Sequence, residues 1–86
     1  MTDIKVGNID HYYDNIAVAV LEVTEGKVSV GDTIKIVDKQ GEERLTQVIE
    51  SMEMDHESVK TANKGDAVCL RVDGEVREGD TVYKIE

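Results

Sequence analysis

Two histidines, one cysteine and a pair of adjacent tyrosines carry most of the chemical potential of this 86-residue sequence. His11 sits in Asp10-His11-Tyr12 and His56 in Asp55-His56-Glu57, and an imidazole flanked by carboxylates has the makings of a general base or a metal ligand. A solvated loop histidine is the plainer reading of both positions. Cys69, inside the apolar run Ala67-Val68-Cys69-Leu70, reads as a small buried thiol. Glu42-Glu43 has the composition of an acid and base pair and also that of an acidic hairpin tip. None of the patterns G-x-S-x-G, C-x-x-C or H-E-x-x-H occurs, so the expectation is a non-enzymatic chain with no catalytic, cofactor-binding or metal-binding residue. Tyr12 and Tyr13 lie between His11 and an Asp14-Asn15 turn. Aromatics at a loop stack on bases or anchor a partner peptide, although one ring capping the core and one on the wall is the plainer alternative. Lys60, Lys64, Arg71 and Arg77 add a basic rim if they converge.

The elements that must position these side chains are marked by a repeated turn. Gly31-Asp32-Thr33-Ile34, Gly65-Asp66-Ala67-Val68 and Gly79-Asp80-Thr81-Val82 each combine a glycine free to take positive φ with an aspartate able to bond nearby amides. Each is followed by strand-forming residues, the punctuation of an all-β chain. Strands are expected from Ile4 through Ile9, along the run Ile16 to Val23, apolar but for Glu22, over Thr33 to Val37, over Ala67 to Val72 and over Thr81 to Ile85. The Ile16–Val23 run suits a central strand covered on both faces. Ile34 and Ile36 should face one side, and so should Val68, Leu70 and Val72. Leu45, Val48, Ile49 and Met52 recur at i, i+3, i+4 and i+7, so periodicity alone favours a helix there.

Composition narrows the classes further. With 10 basic and 19 acidic side chains the formal charge is −9, which argues against strong sequence-independent binding to nucleic acid and makes DNA an unexpected partner. Proline, tryptophan and phenylalanine are absent, so branched aliphatics must fill the core. No apolar run approaches the ~20 residues of a membrane span, and no basic-then-apolar leader precedes the first strand. The expectation is a single domain over residues 1–86, in the cytoplasm, with no membrane contact.

One extended similarity adds to this reading. Val28-Ser29-Val30-Gly31-Asp32-Thr33-Ile34-Lys35-Ile36 is followed by Val48-Ile49-Glu50-Ser51-Met52-Glu53-Met54-Asp55-His56, then by Val59, Ala62 and the second Gly-Asp turn, and last by Val76-Arg77-Glu78-Gly79-Asp80. In order and spacing this resembles the second domain of translation GTPases, of the elongation factor Tu and elongation factor 1-alpha type, across residues 4–86. The resemblance implies a closed six- to seven-stranded antiparallel Greek-key β-barrel and turns residues 44–55 into a strand. It implies a binding module that contacts tRNA, rRNA, a ribosomal component or a translation GTPase. Together with the tyrosine pair, it marks Tyr12, Tyr13, Glu53, Asp55 and His56 as contact residues. Asn63-Lys64-Gly65-Asp66 fits the guanine-reading N-K-x-D pattern, but without a phosphate-binding loop it reads as a Gly-Asp turn and no GTP binding is expected. Similar barrels accompany the catalytic domain of U32 peptidases. The alternative is therefore an acidic protein–protein adaptor, or a detached accessory domain of a U32-peptidase-like system, without a nucleic-acid role.

Overall fold

In the computed structural model, which describes residues 3–86, the three Gly-Asp repeats fold in the same way. Gly31, Gly65 and Gly79 have φ of 98°, 96° and 94°. The Asp32, Asp66 and Asp80 amides donate to the carbonyls of Ser29, Asn63 and Arg77 at 3.0, 2.9 and 3.1 Å. A closing bond of this kind with positive φ at the third position is the type II β-turn, which asks for glycine there. Each aspartate then returns a bond. The amides of Ser29, Asn63 and Arg77 donate to Oδ2 of Asp32, Asp66 and Asp80 at 2.8, 2.9 and 2.8 Å.

These turns organise ten strands, with no helix among the described residues: β1 (Asp3–Tyr13), β2 (Val18–Val23), β3 (Lys27–Ser29), β4 (Thr33–Val37), β5 (Glu43–Val48), β6 (Met52–Met54), β7 (Glu57–Val59), β8 (Thr61–Asn63), β9 (Ala67–Arg71) and β10 (Thr81–Ile85). Eight form one antiparallel sheet in the order β5-β4-β10-β1-β2-β9-β6-β7, and β3 pairs with β8. The sheet curls in a barrel-like manner, because β5, at one end of that order, reaches the end of β9. The Gln47 side chain donates to the Arg71 carbonyl at 2.9 Å and accepts from the Asp73 amide at 2.8 Å.

The all-β expectation holds, but the strand count is higher than the six or seven implied by the resemblance. The segment 44–55 is neither a helix nor one strand. It breaks at 49–51, so that β5 pairs with β4 while β6 crosses to β9. The break follows from Ile49, whose amide donates to Asp32 O and whose carbonyl accepts from Gly31, which ties the chain to the first Gly-Asp turn. The second strand starts later than its apolar run. Ile16 is exposed in the turn and Ala17 has φ of 56°, so β2 begins at Val18. β2 is central, between β1 and β9, yet Val18 and Val20 on its outer face are only half-buried.

The core is aliphatic. Val6, Ile9, Leu21, Ile34, Ile36 and Val82 pack at its centre, and Met52 is its largest flexible piece. Ile34 and Ile36 face inward together, as do Val68, Leu70 and Val72, in agreement with their alternation in the sequence. At the bulge between Lys5 and Gly7 the backbone of β1 closes tightly on β2. A Cβ at Gly7 would stand 2.0 Å from the Glu22 carbonyl oxygen, so no other residue fits there without moving the strand.

Asp80 differs from its two counterparts. It is 1% exposed, and Arg44 Nε lies 2.6 Å from its Oδ2, off the axis of a hydrogen bond. Replacing it therefore uncaps the turn and also strands a largely covered guanidinium. In urea unfolding, Asp32→Ala and Asp66→Ala are expected to lose about 1 kcal/mol each, the value of one lost cap. Asp80→Ala is expected to lose about 3 kcal/mol. Equal losses at all three positions would show that the Arg44 pair contributes nothing.

Candidate functional site

Where β5 and β6 part company, the chain forks around the end of β9 and leaves a groove of about 490 Å³. Its floor is Val18, Cys69 and Leu70; its walls carry Gln47, Glu50, Ser51, Glu53, Arg71 and Asp73. Val18 and Cys69 stand on the outer face of β2 and β9 and Leu70 on the inner one, and the acidic wall comes from the irregular 49–51 segment that leads into β6. The Gln47 amide spans the fork and is held by the backbone bonds to Arg71 and Asp73 described above. Cys69 is only half-buried, so the expectation of a fully buried thiol is not met.

A second, shallower hollow lies at the third Gly-Asp turn. One lobe of about 310 Å³ gathers Lys39, Arg44 and Arg77 with Asp38, Glu78 and Asp80, and its charges cancel. The adjoining lobe, about 290 Å³, is lined by His11, Tyr12, Arg77 and Glu78 among others. His11 Nδ1 is 3.8 Å from Glu78 Oε2, and its ring meets Tyr13 edge to face at 4.4 Å between centroids.

The five residues expected to share a contact surface are dispersed. Glu53 is on the wall of the fork groove, and Tyr12 lines the second hollow while packing against the core. Tyr13 is 45% exposed beside His11. Asp55 and His56 form the tip of the β6–β7 hairpin, with φ of 54° and 65°. Positive φ at both central residues of a two-residue hairpin is the type I′ turn. The basic rim does not converge either: Arg71 lines the fork groove, Arg77 the second hollow, and Lys60 and Lys64 line neither. Sequence reasoning missed Gln47 and Asp73, partners 26 residues apart that carry no local pattern. No group of three or more His, Cys, Asp or Glu side chains among the described residues is arranged to hold a metal ion.

Comparison with known proteins finds both protease relatives and a translation factor. The chain is 34% identical over 83 residues, 96% of its length, to an uncharacterized protease of Methanocaldococcus jannaschii, and 26% identical over 83 residues to a collagenase of Porphyromonas gingivalis. It spans about a fifth of the length of these relatives, 20% of each. Among solved structures it superposes with a TM-score of 0.85 at 17% identity on the C-terminal domain of a Geobacillus thermoleovorans protein described as a U32 peptidase, covering 98% of this chain and 93% of that one. With GDP-bound aIF5B of Aeropyrum pernix the TM-score is 0.61 at 23% identity, covering 95% of this chain and 14% of that one. No family model matches the sequence.

The resemblance to the translation GTPases therefore holds at the level of fold, and the U32 domain is the better match. The expectation of a non-enzymatic chain is overturned by these relatives, which are named as a protease and a collagenase. That expectation rested on motifs sought inside 86 residues, whereas the similarity is to one part of proteins about five times as long.

Two predictions test the local geometry. Left-handed backbone costs a residue with a Cβ roughly 1–2 kcal/mol, and Asn-Gly suits a type I′ turn better than Asp-His. Asp55→Asn with His56→Gly is expected to raise stability by about 1 kcal/mol in thermal unfolding; a loss would show that these side chains make stabilising contacts. At the β4–β5 hairpin, the Glu42 amide and then the Gln40 amide donate to Asp38 Oδ1, and these bonds hold the Asp38 carboxyl below its usual pKa of 3.8. Its folded pKa lies below the unfolded one, so its contribution is complete above about pH 4 and disappears as pH falls through the folded value. Amide exchange at Glu42 should therefore accelerate, beyond the intrinsic rate, on acidification below pH 4. The acceleration should be absent in Asp38→Ala.

Proposed function

We propose that this chain serves a U32-type peptidase as its β-domain, holding polypeptide substrate for a catalytic domain. The observation that carries this reading is the 34% identity, along nearly the whole chain, to a protein named as a protease. The near end-to-end superposition on a U32 C-terminal domain supports it from the side of the fold. In this role the sheet acts as a closed Greek-key barrel of the translation-factor kind, with the Gln47 amide in place of a backbone ladder at the seam. The likeness to aIF5B supports the barrel kinship. Contact with RNA is disfavoured, because the basic side chains are scattered and the net charge is −9. Phosphate neutralisation needs cations gathered on one face.

The test uses a U32-type catalytic polypeptide that lacks its own C-terminal β-domain. Mixed with it at roughly 100 µM, this chain is expected to co-elute in size exclusion and to raise the rate of gelatin cleavage severalfold. Separate elution with unchanged cleavage would overturn the reading.

A further inference from the structure

The Gln47 amide does at the fork what a peptide group does inside a sheet. It donates to the Arg71 carbonyl and accepts from the Asp73 amide, two backbone groups on one stretch of chain just beyond the ladder that β6 forms with β9. β6 pairs with β9 only at Cys69 and Leu70, and β5 is an end strand whose one ladder is with β4. An extended chain entering the fork would thus find backbone partners already satisfied by a side chain that can swing away. Exchanging a side-chain amide for a peptide amide leaves the number of hydrogen bonds unchanged, so entry incurs little desolvation cost.

The walls select what enters. Glu50, Glu53 and Asp73 outnumber the single cation Arg71, in a chain whose net charge is already −9. The apolar part of the lining is Val18, on the outer face of β2, and Leu70 of β9. An extended segment alternating apolar and basic side chains matches this arrangement, since a strand sends alternate side chains to opposite faces.

We propose that the fork between β5 and β9 is a strand-accepting site for an extended, lysine- or arginine-bearing segment of polypeptide, with the Gln47 amide as its removable placeholder. The site deepens the reading above, on which it rests for its role, by naming the substrate class. It is tested on this chain alone, whereas that reading is tested by association with a catalytic polypeptide, so either can fail without the other.

The probe is a short acetylated peptide of alternating lysine and valine, titrated into the full chain and followed by amide NMR. The expected result is saturable movement of the Gln47 side-chain NH₂ signals together with the Cys69 and Asp73 amides. Affinity should fall about tenfold in Glu50→Lys/Glu53→Lys, two exposed positions whose exchange leaves the core untouched, and should fall with added salt. Methylating alternate peptide nitrogens should abolish binding, and Gln47→Ala should strengthen it if the variant keeps the wild-type spectrum elsewhere. The proposal is overturned if the Gln47 signals stay fixed at millimolar peptide. It is equally overturned if a glutamate–valine peptide or the methylated peptide binds as well, or if a uridine oligonucleotide moves the same signals at lower concentration.

Discussion

The backbone N–H that opens each Gly-Asp turn would have no partner without the aspartate three residues further on. The Ser29 and Arg77 bonds are part-buried, and a half-buried amide left unpaired costs on the order of 1–3 kcal/mol, so a small chain gains by closing them; the Asn63 bond repeats the device at an exposed turn. The reciprocal pair of bonds solves this locally, and glycine at the third position lets the chain reverse without a Cβ clash. Three copies deliver the chain into β4, β9 and β10, and two of those strands lie side by side. The first turn goes further. By binding both the amide and the carbonyl of the Ile49 region through Asp32 and Gly31, it pulls the chain off the β4–β5 ladder and opens the fork. The groove is thus a consequence of the same turn chemistry that starts the strands.

The Gly-Asp turns were legible in the sequence because their determinants lie within four residues. The alternation of Thr33 to Val37 and Ala67 to Val72 was equally legible, since period two reports directly on which face is covered. Leu45, Val48, Ile49 and Met52 misled because a strand, a break and a second strand happened to space apolar residues as a helix does. Only Ile49's long-range bonds to the first turn decide the matter, and periodicity carries no information about them. The Gln47 bridge was invisible for the same reason. A polar residue in a short strand has no pattern until the sheet curls and brings residues 71 and 73 beside it.

Those two gaps share a physical origin. Strand edges are where a sheet must either pair, cover itself or stay available. At one end of this sheet the answer is a side-chain amide and the close approach of Gly74, where a Cβ would meet Leu45 at 3.2 Å. Such closure is weaker and more easily exchanged than a ladder of backbone bonds. The five residues first marked for contact were chosen by type, tyrosines and a histidine among acids. The fold instead places its most distinctive polar geometry at a seam, built from a glutamine that no motif highlights.

The net charge takes on a different meaning in that setting. Nineteen acidic residues against ten basic ones first count as an obstacle to nucleic acid. At a seam with free strand geometry they also repel other acidic chains and other copies of this one, which protects an open edge from self-association. The same field attracts basic segments and orients them before contact. An open edge without that charge would accept any extended chain, and aggregation would follow. With it, a strand-accepting site of the kind proposed would discriminate by charge at a distance and by backbone hydrogen bonding on arrival, in that order.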